Sequence, residues 1–168
     1  MVTVRQSAAS VAAAVRDPEL PVLTLAELGV LRDVREDADG GVTVALTPTY
    51  SGCPAIAEMR ADLDAALRDA GYEQVRVVTV LSPPWTTDWI SETGRAKLLA
   101  AGIAPPGPAP RRDGPVPLTL LPTRTAVVPC PHCGSPDTEE TSRHSATPCR
   151  ALRRCRVCRE PFEQVKEL

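Results

Sequence analysis

The chain has 168 residues, a net charge of −2 and 3% aromatic residues, which fits one medium domain plus a small module and excludes a globally basic nucleic-acid binder. No apolar run approaches the ~18–20 residues that span a bilayer. The N-terminus, Met1-Val-Thr-Val-Arg-Gln-Ser7, lacks a charged-then-apolar leader, so the expectation is a cytoplasmic protein with six mainly reduced cysteines.

Residues 8–16 are rich in helix formers and place Val4, Ala8, Val11 and Val15 on one face. Asp17-Pro18 predicts the stop, because the residue before proline is pushed out of the helical region. Val30 to Glu36 reads as a strand and Asp39-Gly40-Gly41 as a turn. Val42, Val44 and Leu46 alternate with Thr43, Ala45 and Thr47, which predicts a half-buried strand and a hairpin. From Pro54 to Ala70, Ile56, Met59, Leu63, Ala66 and Leu67 form a helical stripe that Gly71 closes. Val75 to Leu81 is a third strand, and Ser91-Glu92 opens a last helix to Ala101, with Gly102 as its stop. The order α-β-β-α-β-α predicts the α+β class: a small α/β sandwich over residues 1–103.

Seven prolines fall between Ala104 and Thr123, at positions 105, 106, 108, 110, 115, 117 and 122. They predict an extended linker over 104–123 with few regular hydrogen bonds. Two readings stand for it: an open spacer, or an ordered arm docked through Leu118, Leu120 and Leu121. Residues 124–168 then form a module too small to fold without a metal ion.

That module holds Cys130-Pro-His-Cys133 and, after 21 residues, Cys155-Arg-Val-Cys158. Each C-x-x-C pair closes a tight knuckle, and two knuckles supply the four thiolates of a tetrahedral zinc ribbon. Structural zinc outranks iron on spacing and ligand type. Gly134 follows the first knuckle, where a residue without Cβ strain eases the backbone around sulfur. His132, His144 and Cys149 are surplus to this set. Arg150, Arg153, Arg154, Arg156 and Arg159 form a basic patch suited to nucleic acid or to an acidic protein surface, without the aromatics that single-strand stacking needs.

Cys53 lies in Thr47-Pro-Thr-Tyr-Ser-Gly-Cys-Pro54, between a strand end and the helical stripe. With Pro54 at the first helical position, Cys53 falls at or beside the N-cap, where unpaired N–H groups favour a thiolate. Thr49 and Ser51 are placed to donate hydrogen bonds to it, and Gly52 allows close backbone approach. Such a thiolate suits a soft metal ligand, a transient cluster ligand or a nucleophile; the alternative is a small buried hydrophobe. Asp17 and Glu19, in a rigid Asp-Pro-Glu-Leu-Pro frame, are either ligands beside Cys53 or a helix stop and turn cap. Trp85 and Trp89 either line a partner surface or anchor the core. No P-loop, dinucleotide fingerprint or Ser-His-Asp set is present, and both histidines lie in the metal module.

Asp17-Pro-Glu-Leu-Pro-Val-Leu23, Leu46-Thr-Pro-Thr-Tyr-Ser-Gly-Cys-Pro-Ala55, Ser82-Pro-Pro-Trp-Thr-Thr-Asp-Trp89, Cys130-Pro-His-Cys-Gly-Ser135 and Arg150-Ala-Leu-Arg-Arg-Cys-Arg-Val-Cys-Arg-Glu-Pro-Phe162 resemble the D-subunit family of phenylacetyl-CoA epoxidase systems. The resemblance runs in order over nearly the whole chain, the proline segment excepted. The first domain is also similar to a broader family of small iron–sulfur assembly factors, which lack the ribbon. Their Asp-Pro-Glu segment and reactive cysteine correspond to Asp17–Glu19 and Cys53. The resemblance implies an accessory, non-catalytic protein of phenylacetate catabolism that assembles or repairs an iron–sulfur cluster. It implies as client the reductase component that feeds the di-iron epoxidase, with other subunits as further partners, and iron or a cluster held in transit at Cys53. It leaves room for a homo-oligomer. Two alternatives stand beside it: a direct component of the oxygenase, against which the lack of Glu-x-x-His pairs counts, and a nucleic-acid-binding ribbon resting only on the arginines.

Overall fold

In the computed structural model, which describes residues 6–109 and 127–167, Ser7 opens helix α1 (Ala8–Ala14) by accepting the Ser10 N–H. The helix ends two residues before the expected stop. Val15 is already extended, and its carbonyl takes the Leu25 N–H while Asp17 N–H donates to the Leu23 carbonyl, so tertiary pairing wins over helix propensity. The buried face is Ala8 and Ala12 rather than the valines, because small residues let α1 lie close against its neighbours; Val4 falls outside the described residues.

Helix α2 (Leu25–Leu28) is an element that periodicity cannot reveal, being a single turn. Its signal is the capping box: Thr24 Oγ1 accepts from Glu27 N–H and Glu27 returns to the Thr24 N–H. Lys97 Nζ lies 2.6 Å from Glu27 Oε1, and with the Thr24 N–H it holds that carboxyl below its ordinary pKa. Gly29 ends the turn at φ +76°.

Strands β1 (Leu31–Glu36) and β2 (Val42–Leu46) form the expected antiparallel hairpin. Helix α3 (Ile56–Asp69) then carries the chain over to β3 (Val75–Thr79), which joins β2 in parallel, giving the order β1-β2-β3. Met59, Leu63 and Leu67 on α3 are buried together with Val30, Val42, Val44 and Leu46, each contributing about 1.5–3 kcal/mol of apolar transfer. Strand β3 stops two residues short of the expected end, before Pro83 and Pro84. Trp85 resolves as a core anchor, buried with its Nε1 donating to the Leu28 carbonyl at 3.0 Å. A 3₁₀ turn (Thr87–Trp89) precedes α4 (Glu92–Ala100), which Ser91 opens by accepting the Gly94 N–H. Trp89 is half-buried, with the Arg32 guanidinium 3.5 Å from its ring centroid.

These elements up to Trp85, with Trp89–Lys97, make the first of two units, and the α+β class stands. The second unit is a four-stranded sheet in the order β4-β7-β6-β5, with β4 (Ile103–Ala104) parallel to β7 (Pro161–Val165) and β5 (Thr138–Ser142), β6 (Arg150–Cys155) and β7 antiparallel. The boundary expected between residues 103 and 104 falls inside β4. Most of the expected linker, including Leu118, Leu120 and Leu121, lies outside the described residues.

The glycines of the first unit give a direct test. A Cβ at Gly29 would stand 2.6 Å from Trp89 Cβ and 2.7 Å from its carbonyl oxygen, whereas at Gly40 (φ +84°) nothing lies within 4 Å. Gly29→Ala is therefore expected to lose about 2–4 kcal/mol from backbone strain plus overpacking, and Gly40→Ala only about 1–2 kcal/mol. Urea unfolding of both variants checks the difference; equal losses would contradict the packing role of Gly29.

Candidate metal centre and thiol loop

Two backbone loops of the same shape present the ribbon cysteines. In the first, Gly134 N–H donates to the Cys130 carbonyl at 2.8 Å, and Cys130 N–H to the Ser135 carbonyl at 2.9 Å. In the second, at the end of β6, Cys155 N–H donates to the Glu160 carbonyl at 3.0 Å. Each loop turns through a left-handed residue directly after its second cysteine: Gly134 at φ +72° and Arg159 at φ +69°. The sequence flagged the first of these and not the second.

The four sulfurs converge, all within 4.8 Å of one another. Cys130 Sγ is 3.7 Å from Cys158 Sγ, and Cys133 Sγ is 3.6 Å from Cys155 Sγ, so each close pair joins one knuckle to the other. Zinc–sulfur bonds of ~2.3 Å place tetrahedral sulfurs about 3.8 Å apart, which these separations match; a disulfide needs about 2.05 Å. The electrostatics agree. The backbone N–H of Cys158, ahead of that of Val157 and against burial, brings the Cys155 thiol down to about 7. The Glu160 N–H opposes any rise at Cys158, yet burial and the thiols of Cys155, Cys133 and Cys130 together push it up to about 12. Four sulfurs this close cannot all ionise without a cation among them, and a divalent ion supplies it. His132 lies outside the set with its ring against Gly102, where an added Cβ would meet Cε1 at 2.8 Å. His144 is exposed, and Cys149 is half-buried with its sulfur 3.1 Å from Thr147 Oγ1.

Two of the five arginines of the basic patch turn inward. Arg150 and Arg153 are buried. Arg150 Nη1 lies 2.5 Å from Glu163 Oε2, and Arg153 donates to Gln164 Oε1 and Thr138 Oγ1 at 3.3 Å each. Burial lowers the pKa of the Arg153 guanidinium, against the pull of Glu140. Arg156 is held by Glu139 at 2.8 Å. Strand alternation, which counts every arginine as surface by habit, did not reveal these internal partners.

In the first unit the thiol loop runs from the end of β2 to α3. Cys53 N–H donates to the Tyr50 carbonyl at 3.1 Å, and Ile56 N–H to the Cys53 carbonyl at 3.4 Å. The N-cap of α3 is Ala55, so Pro54 is not the first helical position and Cys53, expected at or beside the N-cap, stands two residues before it, across an entry turn of Pro54 and Ala55. Cys53 is 6% exposed, so the thiol is buried rather than open to solvent. Thr49 is half-buried and Ser51 exposed. A Cβ at Gly52 would make ordinary contact with the Tyr50 ring at 3.6 Å, so no close approach requires the glycine. Asp17 is buried, and its Oδ1 accepts the N–H groups of Glu19 and Leu20 at 2.9 and 2.7 Å, the geometry of a turn former. Among the described residues, the four ribbon cysteines are the one set of three or more histidine, cysteine or carboxylate groups that converges; Cys53, Asp17 and Glu19 do not make another.

Comparison with known proteins divides along the same lines. Residues 10–81 match a family described as iron-sulfur cluster assembly protein, and residues 115–166 a family described as PaaD zinc beta ribbon domain. A protein of Escherichia coli, provisionally named as the D subunit of 1,2-phenylacetyl-CoA epoxidase, is 41% identical over 150 residues, which is 89% of this chain and 85% of that protein. The Fe-S protein maturation auxiliary factor YitW of Bacillus subtilis is 35% identical over 88 residues, 52% of this chain and 82% of its own. The crystal structure of a domain of unknown function from Bacillus anthracis superposes with a TM-score of 0.50 at 27% identity, over 54% of this chain and 87% of that one.

One zinc ion per chain is the expected content, measured by elemental analysis of purified protein. Replacing Cys130 or Cys155 by serine is expected to abolish stoichiometric zinc and unfold the second sheet, because the ion supplies most of that sheet's folding energy. The amide spectrum of residues 8–80 is expected to survive; a ribbon that stays folded and metal-free would contradict the assignment.

Proposed function

The chain belongs to the family of the 1,2-phenylacetyl-CoA epoxidase D subunit, and from that premise we propose that it is an accessory factor of phenylacetate catabolism. In this reading it assembles or repairs the iron–sulfur cluster of the epoxidase's reductase component. The observation that carries it is one chain in which likeness to the D subunit over 89% of the length coincides with a first unit whose relatives are named Fe-S maturation factors. Iron or a cluster is the cargo, and the zinc of the ribbon is structural. The protein itself catalyses no oxygenation, and it works in the cytoplasm beside the other components of the system.

Residues 1–103 handle the cargo in this reading, 104–123 connect, and 124–168 form the ribbon. Cys53 is the soft ligand for the cargo. Its sulfur sits in a loop at the carboxyl end of β2, and β3 is parallel to β2, so the loop of Trp85 leaves the sheet at the same end. Crevices at the carboxyl ends of parallel strands are where ligands are received in α/β sheets, which supports cargo handling there. Because Cys53 is buried, transfer requires the loop 47–54 to open. Asp17 holds the turn that begins Asp-Pro-Glu, while Glu19, Thr49 and Ser51 are the supporting polar groups of the reading.

The test is anaerobic iron and sulfide analysis of the reductase component from cells carrying wild type or Cys53→Ser. The serine keeps size and a hydrogen-bonding oxygen but removes the soft ligand, so fold and zinc content are expected to hold. Cluster content of the reductase is expected to fall several-fold. Full cluster content in the Cys53→Ser cells would reduce this cysteine to a packing residue and remove the reading.

A further inference from the structure

The tip of the second knuckle carries features that metal coordination does not use. Val157, between the ligands Cys155 and Cys158, is 63% exposed. On either side of it in the chain, Arg154, Arg156 and Arg159 line, with Glu139 and Cys155, a shallow cavity of about 240 Å³. Arg156 is neutralised by Glu139 at 2.8 Å and Asp137 at 3.7 Å. Among the described residues no carboxylate lies within 4.0 Å of the Arg154 or Arg159 guanidinium. Arg154 Nε donates to the Arg159 carbonyl at 3.3 Å, which ties its stem to the knuckle backbone and leaves its remaining donors facing outward.

Arg159 adds a second, independent observation. It occupies the left-handed position that Gly134 fills in the first knuckle, a conformation that disfavours any side chain. The two loops are otherwise built alike, so glycine would relax the second as it does the first. A strained backbone kept in order to present a long cation at the surface points to use of that cation.

We propose that this tip is a docking surface for an acidic segment of a partner protein. Val157 enters an apolar notch between carboxylates, and Arg154 and Arg159 grip those carboxylates through their planar forks. The metal-closed loop holds the three side chains on one rigid turn, which lowers the ordering cost of binding. With Arg150 and Arg153 internal, two unneutralised cations remain, too short a track for a nucleic-acid backbone, and no aromatic stands among them for base stacking. The client of the proposed function is the natural bearer of such a segment; the proposal rests on that reading for the partner's identity and not for its chemistry.

The experiment is a backbone-amide NMR titration of the zinc-loaded full chain with the capped peptide Glu-Glu-Leu-Glu-Glu, and separately with a twelve-nucleotide single-stranded DNA. The peptide is expected to shift residues 154–159, to lose affinity with added salt, and to bind several-fold more weakly when serine replaces its leucine. Arg154→Glu with Arg159→Glu is expected to weaken binding about tenfold or more at unchanged zinc content. Should that double variant lose its metal, Arg159→Gly removes one cation while relaxing the backbone, and still weakens the peptide. Absence of shifts at millimolar peptide, or shifts that survive both sets of variants, would overturn the proposal. A stronger response to the DNA would overturn it in favour of a phosphate surface, and shifts at the same residues on concentrating the chain alone in favour of a second copy. No client is used, so the result is separate from that of Cys53→Ser.

Discussion

Four sulfurs drawn to within 4.8 Å of one another set the terms for everything else in the second unit. Its buried cluster is Ala104, Val128, Cys130, Cys155 and Phe162, so two of the five members are themselves ligands and one is the only phenylalanine of the chain. Apolar burial on that scale does not offset the entropy of ordering some forty residues. A zinc ion held by the four cysteines would, and by fixing both knuckles it would fix the start of β5 and the end of β6. The internal arginines follow from that frame. Arg150 ties β6 to β7 through Glu163, and Arg153 reaches Thr138 on β5 and Gln164 on β7. Buried ion pairs of this kind add little net stability, but a one-residue slip would strand them, so they select the register.

The first unit is held differently. A conventional core of α3 against the sheet supports it, with Met59, Leu63 and Leu67 each almost fully buried, and no ion is needed for its strands to pair. Its polar interior groups are spent on turns: Asp17 on Glu19 and Leu20, Glu27 on Thr24 and Lys97. The thiol loop is the exception to this economy of structure. It leaves a buried strand end, carries exposed Ser51 and Gly52, and tucks Cys53 back beneath them. Burial of this kind protects a sulfur from oxidation.

What the sequence revealed was whatever has a period or a spacing. The α3 stripe, the hairpin around Gly40 and the two C-x-x-C pairs all announce themselves that way. Elements of one turn or two residues do not: α2 shows only as Thr24-Leu-Ala-Glu27, and β4 shows not at all, since two residues carry no alternation. Helix ends moved where tertiary pairing took over, as at Val15, or where an entry turn intervened, as at Pro54-Ala55. The thiol's setting was misjudged for the second reason. The parallel pairing of β3 could be foreseen from the long α3 crossover, whereas the inward arginines depend on partners 11 to 15 residues away that no local rule brings together.

Strand β4 changes where the ribbon begins. Ile103 and Ala104 pair with Glu163 and Gln164 at one edge of the ribbon sheet, and Val128 at the far side of the proline-rich stretch is buried in the same cluster. Residues 103–104 and Val128 therefore belong to one folded unit, the ribbon. A ribbon excised at residue 124 would lack its fourth strand and expose the bare edge of β7, with unpaired amides beside Phe162 and Val165. Such an edge invites pairing with other chains, so the minimal soluble ribbon begins before β4.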